Sequence, residues 1–126
     1  MNLKFEDLRH ANVERNKEWD PENLITASFR GLELAGEVGE LCNVIKKLER
    51  ERLELPGSRT TMLSLAKEIA DVLITLDLLA MHYSIDLGEA TRYKFNSTST
   101  RMGLKTRIGE PMHYLPIDHD VIMERG

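Results

Sequence analysis

Apolar residues return along this chain at steps of three and four, and nowhere alternate with polar ones for more than four residues. That is the period of an α-helix, not of a strand. The spacing predicts a first helix over about residues 5–19, polar, with a thin stripe of Leu8, Ala11 or Asn12, Arg15 and Trp19. Asp20-Pro21 ends it and starts the next, because proline is tolerated in a first helical turn. The second helix runs to about Glu54, with Gly31 as a candidate break, and Pro56-Gly57-Ser58 reads as a turn. A third helix is expected over about residues 60–83. Asp86 and Glu89 form a capping box for a fourth, with Ile85 and Ala90 as the flanking apolar pair. That helix ends near Thr100, with Gly103 as its stop. From Leu104 the periodicity ceases. Gly109, Pro111 and Pro116 predict an extended arm over 105–126, laid over the surface or a neighbouring subunit, after a folded domain over 1–104.

The second and third helices carry a weak internal repeat. Leu34-Ala35-Gly36-Glu37-Val38-Gly39-Glu40-Leu41 resembles Leu65-Ala66-Lys67-Glu68-Ile69-Ala70-Asp71-Val72, 31 positions later. Their apolar stripes match, 34, 38, 41, 45 and 48 against 65, 69, 72, 76 and 79, stepping by four and three as in the seam of a helical hairpin. The expected fold is all-α: a helical hairpin with flanking helices. The third helix is apolar on several faces, so a second chain is expected to complete a four-helix-bundle core, in a dimer or a tetramer.

Composition narrows the function. The 126 residues form one domain, large enough for a core without disulfides or a structural metal. The formal charge of -4 disfavours binding to nucleic acid polymers or an anionic membrane, though not to a small polyphosphate carried on a metal ion. No run approaches the ~18 apolar residues of a membrane span, and residues 1–7 lack an apolar signal core. The single cysteine, Cys42, points to a reducing compartment, the cytoplasm, and its helical position reads as core.

The chemistry lies in the repeat. On a helical wheel with Glu37 at zero, the second helix's stripe centres near ~60°, with Glu37 and Glu40 on its shoulder and Glu33 between them in angle, one turn earlier. Glu68 and Asp71 flank the third helix's stripe in the same way. Packing the stripes against each other brings the two acidic pairs to one rim. Four carboxylates at close range repel, so either some protonate or a cation sits between them. An all-oxygen donor set suits Mg²⁺, or Mn²⁺. No histidine follows any of these acids at the i+3 position that di-iron bundles use. Gly36 and Gly39 each cost ~1 kcal/mol of helix stability, which points to close approach of another backbone or a ligand. An acidic pair on a helix shoulder is also what a solvated face looks like; its duplication in register favours the metal site.

Glu37-x-x-Glu40, 27 intervening residues, then Glu68-x-x-Asp71 resembles the metal-binding signature of the all-α, MazG-like nucleotide pyrophosphohydrolases. The phrases Gly36-Glu37-Val38-Gly39-Glu40-Leu41 and Lys67-Glu68-Ile69-Ala70-Asp71-Val72-Leu73 carry the likeness, which covers about residues 21–104. Lys94-Phe95-Asn96 through Arg101 resembles the family's Lys/Asn/Arg substrate motif, with Lys and Asn closer together than is usual there. The resemblance implies hydrolysis of nucleoside triphosphates, with deoxynucleosides as the expected substrates, between the α and β phosphates to monophosphate and pyrophosphate. It also implies Mg²⁺ on Glu37, Glu40, Glu68 and Asp71. Glu37 and Glu40 are the pair expected to take the proton of the attacking water. Lys94, Asn96 and Arg101 are then candidate phosphate or sugar ligands, against a reading as a solvated helix end. Lys47, on the angular stripe of Glu40, is a further candidate. Trp19, the only tryptophan, is either a nucleobase stacking platform, as the family places aromatics here, or the anchor of the first helix. Asn12 and Arg15 would edge the same pocket. Asp77 reads as a buried, paired acid, and His82, ~16 Å along the axis from Asp71, as structural. His113, Asp118, His119 and Asp120 are a minor metal-site candidate in the tail. The competing function is a non-catalytic helical module that binds a nucleotide or a protein.

Overall fold

The computed structural model describes residues 2–109. It contains four helices, α1 (Phe5–Trp19), α2 (Ala27–Arg52), α3 (Met62–His82) and α4 (Leu87–Arg101), and no strand among the described residues. The all-α expectation holds. The chain divides into two compact units, one through Ser84 and the other from Ile85 onward.

In the first unit α2 and α3 form the hairpin and α1 lies against α3. The start of α1 is held by Asp7, whose carboxylate accepts the Lys4 N–H at 2.8 Å. The second helix starts later than proline suggests. The Asp20 carboxylate turns forward and accepts the N–H groups of Leu24 and Ile25 at 2.8 and 3.0 Å, which holds residues 20–25 out of a helix. Asn23 takes a positive φ of 55° in this loop. Thr26 then caps α2 by accepting the Phe29 N–H. Gly31 does not break α2, which runs unbroken to Arg52. Between α2 and α3, Gly57 sits at φ +126°, where a Cβ would lie 2.9 Å from the Arg50 side chain. That side chain crosses the turn to donate to the Ser58 carbonyl at 2.7 Å.

The hairpin seam is rotated from its expected position. Leu34, Leu41 and Leu48 of α2 and Leu65, Val72 and Leu79 of α3 are half-buried, whereas Val38, Ile45, Ile69 and Leu76 are exposed. Val44 and Thr75 are buried instead, so the inward face of α2 centres on Glu37 rather than beside it. Only Val44, Leu78 and Ala80 are buried hydrophobic residues among those described. Polar groups fill much of the remaining interior. Asp77 is 1% exposed; it accepts from Arg9 Nε at 3.1 Å and from Asn12 Nδ2 at 2.9 Å, which pins α1 to α3.

In the second unit, Asp86 caps α4 by accepting the Glu89 N–H at 2.8 Å. The Glu89 carboxylate accepts from Arg92 at 2.7 Å. Gly103, at φ +68°, ends the helix as expected. The chain then turns back along α4: the Asn96 side chain accepts the Ile108 N–H at 2.8 Å and donates to the Ile108 carbonyl at 3.1 Å. The rest of the expected arm, with His113, Asp118, His119 and Asp120, lies outside the described residues.

Candidate active site

The rotation of the seam decides where the acids go. Glu37 and Glu68, the first acid of each motif, are half-buried between α2 and α3; Glu40 and Asp71, the second of each, are exposed at the rim. Glu37, Glu40 and Glu68 each bring a carboxylate oxygen within 4.8 Å of the other two. These three residues could together offer a hard cation an all-oxygen donor set. Asp71 lies outside this triad but close enough to act on Glu37 electrostatically.

The triad has the marks of an incomplete coordination sphere. One oxygen each of Glu37 and Glu68, Oε2, is buried with no hydrogen-bond partner. Buried carboxylate oxygens ordinarily find donors. The Glu37 pKa is raised above its ordinary value, first by burial and then by the negative charges of Glu40, Asp71, Glu68 and Glu33. A divalent cation would remove both penalties, supplying the missing partner and opposing the repulsion. Glu33 is engaged elsewhere: buried Arg30 donates to it at 2.8 Å.

The back of α2 carries an open groove of about 420 Å³ lined by Gly36, Gly39, Glu40, Cys42, Asn43 and Lys46. Two expectations change here. Among the described residues no other chain segment approaches the two glycines, and a Cβ on either would meet nothing within 4 Å, which leaves a ligand as the expected neighbour. Cys42 is not core but an exposed thiol, because its position on the wheel faces away from α3. Lys46, not singled out in the sequence, joins Glu40 in the groove; its signal was the 39, 43, 46 spacing on one face. Lys47 is half-buried.

The aromatic candidate is accessible. Trp19 is 51% exposed, with the Arg15 guanidinium 4.6 Å from its ring centroid, so it does not anchor α1 in the core of this chain. Asn12 is not a pocket residue: it is 1% exposed, and its amide nitrogen donates to Asp77 and the Ile74 carbonyl. On α4, Lys94 and Arg101 are exposed and lie seven residues apart, on one helix face. Asn96 lies on the opposite face, and both polar atoms of its side chain are taken by Ile108.

Residues 27–101 match the model of the MazG nucleotide pyrophosphohydrolase domain. The chain belongs to this family. The match spans the whole hairpin with both acidic motifs, and α4. Among curated relatives, dCTP pyrophosphatase 1 of cattle (Bos taurus) is 29% identical over 95% of this chain and 72% of its own length. The human protein of the same name is 30% identical over 95% of this chain and 71% of its own length. The MazG member described here is a nucleoside triphosphate pyrophosphohydrolase, and it carries an acidic triad, half-buried at Glu37 and Glu68 and exposed at Glu40, that could hold a metal ion.

Proposed function

We propose that this MazG enzyme hydrolyses deoxynucleoside triphosphates to the monophosphate and pyrophosphate, with Mg²⁺ held by Glu37, Glu40, Glu68 and Asp71. The observation that carries the metal assignment is the pair of buried, unpartnered oxygens on Glu37 and Glu68, facing a third carboxylate. Mn²⁺ suits the same oxygen set. The names of the relatives, dCTP pyrophosphatases, favour a deoxynucleotide and make dCTP the first substrate to test.

Bound there, the cation supplies charge neutralisation on the phosphates and a site for the attacking water. The protein's own part is geometric and acid–base. Glu37 and Glu68 present donors from the two facing helices of the hairpin. A carboxylate oxygen of the Glu37/Glu40 pair not turned to the metal takes the proton of the water as it attacks the α-phosphorus. Lys94 and Arg101 provide positive charge for the phosphate chain, and Lys47 is a third candidate. The free face of Trp19 stacks on the base. Asn96 is left out of this set because Ile108 occupies its amide.

Assembly completes the proposal. Val38, Ile45, Ile69, Leu73 and Leu76 are between 37% and 53% exposed and border the hairpin, an apolar surface suited to a second copy in a homodimer or homotetramer. No described helix is long and apolar enough to cross a membrane. The single exposed thiol suits a reducing compartment, and we place the enzyme in the cytoplasm. The test is product analysis. dCTP with protein and Mg²⁺ should yield dCMP and pyrophosphate together, and chelation should stop it. dCDP with orthophosphate as the main products would overturn the reaction.

A further inference from the structure

A hydrogen bond crosses from α2 to α1, made by Arg30, two turns before Glu37 on α2. Arg30 is 2% exposed, and its guanidinium donates through Nη1 to Glu33 at 2.8 Å and through Nη2 to the Asn16 Oδ1 at 2.7 Å. The same Asn16 oxygen accepts the Trp19 Nε1–H at 3.3 Å. Arginine and indole can only donate. Two donors on one atom therefore fix which end of the Asn16 amide is oxygen, and the side chain cannot flip without facing donor against donor. The remaining end, the Nδ2 amino group with its two N–H donors, has no partner among the described residues. It sits at the Nε1 edge of the Trp19 ring. One face of that ring is covered by Arg15 at 4.6 Å from the centroid, and half of the residue remains exposed.

A base stacked on the open face of Trp19 would thus bring its edge to a donor-only group of fixed orientation. The geometry points to Asn16 as a specificity-determining residue that donates through Nδ2 to an exocyclic carbonyl oxygen of the nucleobase, with Arg30 as the positioning residue that locks the amide. This deepens the functional reading above and rests on its placement of the base at Trp19. Cytosine, uracil and thymine carry such a carbonyl beside the glycosidic nitrogen. Adenine has no exocyclic acceptor: its amino group is a donor, and its acceptors are ring nitrogens set back from the reach of a carbonyl oxygen. The site selects carbonyl-bearing bases, and pyrimidines in particular, against adenine.

Asn16→Asp is the decisive variant. It keeps an oxygen for Arg30 and Trp19 but replaces the donors with a second acceptor. Trp19 is the only tryptophan, so its fluorescence reports stacking without turnover. The wild-type and variant proteins are titrated with dCMP, dUMP and dAMP in Mg²⁺. The wild type should bind the two pyrimidine nucleotides more tightly than dAMP. Asn16→Asp should weaken the pyrimidine nucleotides by ~10-fold, the usual size of one lost hydrogen bond to a site that stays polar, and leave dAMP unchanged or tighter. Unchanged affinities for all three, a parallel loss on all three, or no quenching of the wild type by any of them would overturn the assignment. Should Asn16→Asp fail to fold by circular dichroism, Asn16→Ala is read by the same ratio of dAMP to dCMP affinity, which a purely structural strut would leave intact. Pyrophosphate release from dCTP by the wild type, measured alongside, separates the two proposals. Release with no change in base selection removes Asn16 and keeps the reaction. A change in base selection without release keeps Asn16 and removes the reaction.

Discussion

Glu68→Gln should make the metal-free protein more stable and the enzyme inactive. The substitution keeps the shape of the side chain and removes one negative charge from the cluster. One carboxylate oxygen each of Glu37, Glu40 and Glu68 lies within 4.8 Å of the other two. At that separation two like charges repel by ~0.9 kcal/mol in bulk water and ~3.5 kcal/mol at an effective dielectric of ~20. Glu40 is exposed and the other two are half-buried, so the solvent end of that range applies. Glu68 has two such partners, and its removal should relieve ~1–2 kcal/mol at low ionic strength. That raises the melting temperature by ~4–8 °C in a chain of this size. The new amide also offers a donor to the unpartnered Glu37 oxygen. The assay is thermal unfolding followed by circular dichroism in chelator, at fixed protein concentration and at two salt levels. Repulsion between partly exposed charges is screened, so the gain should shrink in ~1 M salt, where the Debye length is ~3 Å. Mg²⁺ should then raise the melting temperature of the wild type and not of the variant, and dCTP turnover should be lost. A variant less stable than the wild type in chelator would refute the repulsion argument. A variant with the full Mg²⁺ shift would refute Glu68 as a ligand.

Asp77→Ala should cost ~3–5 kcal/mol in chemical denaturation, because it removes the buried carboxylate that Arg9 Nε and the Asn12 amide share; a loss under ~1 kcal/mol would show that this contact does not hold α1 in place. Light scattering at micromolar concentration should give at least twice the 14.4 kDa of one chain, and a clean monomer would remove the proposed interface. The raised Glu37 pKa sets a pH dependence: in the window between its ordinary and its raised value the folded state holds a proton that the unfolded state has released, so this group's contribution to stability falls as pH rises. The difference between wild type and Glu37→Gln in chelator should follow that sign, and the Mg²⁺-induced stabilisation should grow across the same window as the ion displaces the proton; a contribution that rises with pH would contradict it.

Local signals and tertiary ones differed in how far the sequence revealed them. Helix ends written in local chemistry were legible: Phe5–Trp19 was found to the residue, and Asp86 and Gly103 mark α4 as their types predict. The start of α2 was not, since the proline signal at Pro21 was overridden by the Asp20 carboxylate accepting two amides further along. The acidic motifs were legible because they repeat in register. The rotation of the seam was not legible, because the third helix is apolar over so much of its circumference that periodicity alone does not choose which stripe turns inward. Cys42 and Asn12 were misread for the same reason: each sits at a position whose burial depends on where a neighbouring helix lies. Asn96 matched a motif by residue type, while its actual partner, the Ile108 backbone, lies twelve residues further on in a segment without periodicity.

The rotated seam also links stability to function. Position 37 lies at the centre of the inward face of α2, where a leucine would add to a core that holds only three buried hydrophobic residues among those described. Instead each helix places its first acid inside and its second at the rim. A hairpin closed over two facing carboxylates is held apart by their repulsion and by the unmet hydrogen-bonding of their buried oxygens, and both penalties vanish when a cation arrives. The ion therefore acts on the helix pair as well as on the phosphates: the free energy it releases on binding includes the relief of strain in the seam, so the metal-free protein is the looser state and cation binding tightens the packing of α2 on α3. Protection of backbone amides in these two helices against hydrogen exchange should rise with Mg²⁺, most strongly around Glu37 and Glu68, and α4 sets the comparison. Equal protection with and without the ion would separate the metal site from the stability of the hairpin.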